Sequence, residues 1–276
     1  MRILKWLSLA VAPVVLSGCL EGNKNTDQLC ESHEGLQCSE LNMNDGQCRI
    51  PRTDLIWHRF EVLKQPTDAH KVKEYTLVAA YRKCLELASQ LEPIDQSALK
   101  QRRFSALMHS IGELDRIVDD LSDSKEPETL YFLWSQTGNT DARRSFLQLE
   151  GTQSLNTAEM QYALATFYTT RDYPKTIALL KNALVLSNGK KVNTEIFKSL
   201  ASVNHRLGNL EKAYMWAMVA KRFEVPIASQ AELSVMYRFN TEKYQELNDI
   251  ADIIEEAIQE GMFKASLVPT KWDKQS

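Results

Sequence analysis

Residues 156–226 repeat themselves at an offset of 37 positions. Asn156 with Thr157 recurs as Asn193 with Thr194, and Met160, Ala163 and Leu164 answer to Phe197, Leu200 and Ala201. Tyr173, Thr176, Leu180 and Ala183 then answer to Leu210, Ala213, Ala217 and Ala220. A unit this short cannot bury its own apolar face, so such a chain stacks copies of one supersecondary element. Spacing by threes and fours inside each copy predicts a helix, a short turn and a second helix. Asn156 with Glu159 reads as a capping pair for the first helix, and Gly208 with Asn209 as the turn of the second copy. Asn204 departs from the pattern, standing where the first copy has Phe167.

The same periodicity runs upstream. Thr53 is placed to cap a helix carrying Ile56, Phe60 and Leu63, which Pro66 ends. Thr67 opens a longer helix with Val78, Tyr81, Leu85, Ala88 and Leu91 inward, stopped by Pro93. A third runs from about Ser97 to Asp123, with Phe104, Leu107, Ile111, Leu114, Val118 and Leu121 as its buried stripe. Glycine and proline number only 10 and 8, which favours helices over turn-rich sheet. The expected fold is all-α, built of helical hairpins.

The N-terminus sets the compartment. Arg2 and Lys5 precede an apolar stretch from Trp6 to Leu16, broken by Ser8 and Pro13, with the length and flanks of a secretory signal. Leu16, Ser17, Gly18 and Cys19 resemble the lipobox of bacterial lipoproteins. That resemblance implies cleavage after residue 18 and acylation of Cys19, with two or three chains giving stable anchorage. Leu20, in place of the aspartate that retains such proteins at the inner membrane, implies the outer membrane, facing the periplasm. The formal charge is -3, or -5 once Arg2 and Lys5 leave with the signal, so there is no basic field for nucleic acid or anionic lipid.

Four cysteines remain: Cys30, Cys38, Cys48 and Cys84. In an exported chain they imply two disulfides with three possible connectivities, of which Cys30 with Cys38 and Cys48 with Cys84 is slightly preferred. A zinc site at Cys30, His33, Cys38 and Cys48 is the weaker reading, because no C-x-x-C pair is present and the compartment oxidises thiols. Asn42, Asn44, Asp45 and Gly46 hint at a calcium loop, but Leu41 and Met43 would occupy acidic ligand positions, so a tight turn is expected.

Catalytic motifs are missing: the sequence has no G-x-S-x-G, H-E-x-x-H, P-loop or G-x-G-x-x-G, and no cofactor or metal is expected. His58, beside Arg59 and Glu61, has nothing evident to orient it as a base, and His70, His109 and His205 read the same way. Asp119, Asp120 and Asp123 read as a solvated helix end. Trp134, Trp216, Tyr162 and Tyr214 fall at apolar helix positions and are expected in the core.

The repeat resembles the tetratricopeptide repeat and its Sel1-like relatives, clearly over residues 156–226 and more weakly over Leu130–Glu150 and Gln230–Gly261. The resemblance implies a right-handed solenoid whose first helices line a partner groove. Carried across, the groove holds Gln161, Ala165, Tyr168 and Thr169 from one copy and Lys198, Ser202, His205 and Arg206 from the next, the second set suited to an acidic peptide or carboxylate. The whole chain is also similar to an uncharacterised family of gammaproteobacterial lipoproteins. That likeness rests on the lipobox, on Asp45, Gly46, Cys48, Trp57 and His58 within 41–59, and on 130–136 and 161–168.

The expected organisation is a signal at 1–18, an anchor, linker and disulfide knot at 19–52, a helical hairpin region at 53–125, repeats at 126–265 and a tail at 266–276. Two functions compete: an envelope interaction module that meets another envelope protein or peptide, and an envelope enzyme or ligand-binding protein using Arg49, Trp57 and His58.

Overall fold

A computed structural model describes residues 25–91, 97–189 and 192–272. Among them are twelve α-helices, several 3-10 turns and no strand, so the chain is all-α. They divide after Leu121 into two compact units. No helix among the described residues is long and apolar enough to cross a membrane.

Unit 1 holds α1 (Thr26–Ser32), α2 (Arg49–Lys64), α3 (Asp68–Ala88) and α4 (Ser97–Leu121). The Asn25 side chain accepts from the Gln28 N–H while the Gln28 side chain accepts from the Asn25 N–H, a reciprocal cap that starts α1. Cys30 and Cys38 are joined across the end of α1, and Cys48 and Cys84 join the start of α2 to α3. In the chain-entropy picture the 36-residue separation makes the second bridge the stronger constraint, about 4 kcal/mol against about 2.5 for the first.

Thr53 does not cap α2. The helix begins five residues earlier, with Cys48 at the cap position, whose φ of 59° turns the chain at the disulfide. Pro51 fits there because N–H groups in a first helical turn have no carbonyl to reach. Helix α3 starts as expected, with Thr67 Oγ1 accepting from the His70 N–H.

The buried face of α4 is not the expected apolar stripe. Arg103, Ala106, Ser110, Glu113, Leu114, Ile117 and Leu121 are buried, while Phe104 is 56% exposed, Met108 52% and Ile111 37%. Leu63 and Leu91 are also half exposed rather than inward. The phase is set by charged groups that have partners inside.

Unit 2 pairs α5 (Pro127–Thr137) with α6 (Thr140–Gln148), α7 (Ala158–Tyr168) with α8 (Tyr173–Ser187), and α9 (Glu195–Arg206) with α10 (Leu210–Arg222). Helices α11 (Gln230–Tyr237) and α12 (Thr241–Gln259) pack on α10. The offset of 37 holds at the start of both helices in the repeated copies. Its apolar matches are interior: Met160 and Phe197, Ala163 and Leu200, Ala183 and Ala220 are all buried. Trp216 and Tyr214 are core residues as expected, while Trp134 and Tyr162 are half-buried.

Asn204 is buried too, and its place is explained by the turn. Its Nδ2 donates to the Leu200 carbonyl, and its own carbonyl accepts from the Asn209 N–H across the turn between α9 and α10. The first helix of the earlier copy is capped by Thr157, not Asn156, through Met160 N–H to Thr157 Oγ1. Gly261, at φ 71°, lies against the end of α8: a Cβ there would come within 2.7 Å of the Asn188 carbonyl carbon.

Candidate functional site

In unit 1 two of the residues expected in a cation loop or tight turn, Asn42 and Asp45, belong to a buried charge network. Arg103 donates from Nε to Asp45 Oδ2 at 2.6 Å and from Nη2 to Asp45 Oδ1 at 3.0 Å. Asn42 Nδ2 and the Gln47 N–H also donate to that carboxylate, and Arg52 Nη1 donates to the carbonyls of Asn42 and Asp45. Tyr81 Oη donates to Asn42 Oδ1. A guanidinium thus fills the place offered to calcium, and its hydrogen bonds hold the Asp45 carboxyl down at about 2, against the opposing effect of burial.

A second network centres on Arg59. Its Nε donates to Glu74 at 3.0 Å, its Nη2 to Glu113 at 2.8 Å and its Nη1 to the Leu36 carbonyl, joining α2, α3, α4 and the disulfide knot. Arg116 donates twice to Glu113 and once to Asp120, which Lys71 also approaches. Burial pushes the Glu113 carboxyl up, but the Arg116 hydrogen bond and the charges of Arg59 and Arg116 more than offset it, leaving it below its ordinary value. A cleft of about 240 Å³ borders this network, with Gln37, Lys71 and Asp120 on its walls. Its charges are already paired within the protein.

Two of the three junction residues, Trp57 and His58, tie helices together. Trp57 Nε1 donates to Thr26 Oγ1, and His58 Nε2 lies 2.8 Å from the His70 carbonyl across the α2–α3 turn. Arg49 is exposed. His33 packs edge-on against Phe60, and Cys30, Cys38 and Cys48 are consumed by disulfides, so the zinc set has no thiolates. His109 is half-buried, and burial pushes its imidazole down.

Unit 2 separates the expected groove residues into two groups. Gln161, Tyr168 and Thr169 are half-buried and engaged internally, and Ala165 lies in the core rather than in a groove. Gln161 donates to the Leu155 carbonyl and accepts from Asn182; Thr169 donates to the Ala165 carbonyl. Tyr168 Oη donates to Glu150 at 2.6 Å, while Lys175 pairs with Glu150 and sits 3.9 Å over the Tyr168 ring. By contrast Lys198, Ser202, His205 and Arg206 are all exposed along α9. Lys198 pairs with Glu195, and His205 meets Tyr237 edge-on.

Beside that row, on another face of α9, lies a recess of about 730 Å³. Its polar rim includes Glu128, Asn156, Glu159 and Asn193, over Leu186 and Ile196. The repeated asparagines therefore share one hollow, a relation the 37-residue offset implied but sequence reading left unused.

Two disulfides, an N-terminal charge-stapled unit and a second unit of paired helices define the class: an all-helical, disulfide-bonded hairpin protein. The chain belongs to the family described as a protein of unknown function (DUF2989), which matches residues 16–218, from Leu16 into α10. No curated protein matches the chain, and no solved structure does.

Proposed function

We propose that this chain is an exported lipoprotein of the bacterial envelope, anchored through acylated Cys19 and working as a tetratricopeptide-like interaction module for another envelope protein. Cys19 and the signal lie outside the described residues. The carrying observation is that every cysteine after the lipobox is paired, Cys30 with Cys38 and Cys48 with Cys84. Such bonds persist in oxidising compartments and are rare in the cytosol. The outer membrane follows from Leu20.

The anchor is tested by metabolic labelling with palmitate. The wild type takes up label, and Cys19→Ser abolishes it and leaves an unprocessed or soluble form. Undiminished labelling of that variant would remove the anchor from the reading.

For the partner surface, the exposed row Lys198, Ser202, His205 and Arg206 favours an acidic segment. After crosslinking and capture from the native envelope, charge reversal by Lys198→Glu with Arg206→Glu weakens recovery of the captured partner, more so at low salt, while helix content and melting stay nearly unchanged. Unaltered recovery, with loss on substituting Asn156 and Asn193 instead, would move the partner to the recess.

A further inference from the structure

The α4 face bearing Phe104, Met108 and Ile111 is the one place in the described part of unit 1 where three exposed apolar side chains fall at i, i+4 and i+7 on one helix. The other exposed large apolar residues of that unit are Ile50 and Leu63, which stand alone, and the pair Leu87 and Leu91 at the end of α3. The stripe is not a mis-set core, because the opposite side of α4 is fixed by Arg103 on Asp45 and by Glu113 on Arg59. Rotating the helix to bury Phe104 would break both networks.

What lies within reach is set by covalent length. Six peptide steps separate Cys19 from Asn25, so an acyl anchor at Cys19 holds the first described residue no more than about 22 Å from the bilayer surface. A unit of roughly 100 residues has a radius of gyration near 13 Å, so a tether of that length lets it pivot any face onto the membrane. Tethering raises the effective concentration of the bilayer to about the millimolar range, where a short apolar stripe too weak to bind alone is occupied. Lys100 is exposed one turn before Phe104 on the same side of α4, a long side chain able to lie along the interface with its charge at the headgroups.

We infer that the Phe104, Met108 and Ile111 face of α4 rests on the lipid bilayer to which the chain is tethered, an inference that takes the Cys19 anchor from the preceding reading. Unit 1 is then a foot lying on the membrane.

The test places a benzoylphenylalanine photocrosslinker at position 104 of the mature chain. The thiol of Cys19 is coupled chemically to maleimide lipid in phosphatidylethanolamine–phosphatidylglycerol vesicles. Anchorage is thereby imposed, so a failure here is distinct from a failure of lipidation, which palmitate labelling reads separately. The expected result is lipid adducts at 104 several-fold above the same probe at exposed Glu61, the excess that surface-restricted effective concentration supplies. Crosslinked dimers, crosslinks from 104 into unit 2, or lipid adducts no higher than at 61 would each overturn the inference.

Discussion

Substituting Arg59→Leu lowers the opening free energy of α2, α3 and α4, read by hydrogen exchange of the full mature chain, by about 3–5 kcal/mol. The effect is large because Arg59, Glu74 and Glu113 are all buried, with side-chain exposures of 4%, 6% and 7%. Removing the cation leaves Glu74 without its hydrogen-bonded cation, takes one of three arginine hydrogen bonds from Glu113, and leaves the Leu36 carbonyl without its donor. Such a loss exceeds the worth of the contact itself, since the stranded charges keep their desolvation cost. Replacing the set together, by Arg59→Met with Glu74→Leu and Glu113→Leu, recovers most of that loss because no charge is then left stranded. A loss under about 1 kcal/mol for the single variant would mean that water reaches the site. Amides of unit 2 report the specificity of the effect.

Asp45→Ala gives the second large effect, again about 3–5 kcal/mol, with a distinct dependence on pH. Arg103 loses both carboxylate contacts and the turn at Asp45 loses its bond to the Gln47 N–H. In the folded protein the Asp45 carboxyl titrates at about 2, below its ordinary 3.8. The proton is therefore held more tightly by the unfolded chain. The resulting stability is fully present above about pH 4 and disappears as pH falls toward 2, an amount of roughly 2 kcal/mol from the shift alone. Urea midpoints collected between pH 6 and pH 2 should fall more steeply for the wild type than for Asp45→Asn. Parallel acid limbs in the two proteins would show that the carboxylate is not the group responsible.

Most helices were legible because their boundaries are written locally. Pro66, Thr67, Gly208 and the 37-residue offset mark chemistry within a few residues of where it acts, and the structure uses them there. The phase of α4 was not legible, since counting apolar residues selects Phe104 and Ile111, while the buried face carries Arg103, Ser110 and Glu113. A buried arginine is invisible to periodicity until its partner is known, and Asp45 lies 58 residues away. The same separation hid the occupant of the Asp45 turn: a loop rich in Asn and Asp announced a need for positive charge without naming Arg103. At the expected groove, sequence reading placed Gln161, Tyr168 and Thr169 beside Lys198. It lacked the knowledge that Glu150, Asn182 and the Ala165 carbonyl would engage the first three. The α2 start was misjudged by five residues because Thr53 is a good cap in isolation, whereas the bridge at Cys48 fixes where the helix turns in.

That bridge also decides how the molecule carries tension. A pull applied at the N-terminus and resisted in unit 2 travels along the backbone to Cys48, where the sulfur bond passes it directly to Cys84. The 35 residues between them, all of α2 and most of α3, are bypassed. At about 3.5 Å per extended residue, roughly 125 Å of chain is withheld from stretching. The smaller loop at Cys30–Cys38 withholds its own segment in the same way. Arg59 and Glu74 lie on the shielded loop, Arg103 and Glu113 on the stretch beyond it that still carries force. Under reducing conditions α2 would enter the line of force, and the same pull would peel Arg59 away from its carboxylates before it reached α4.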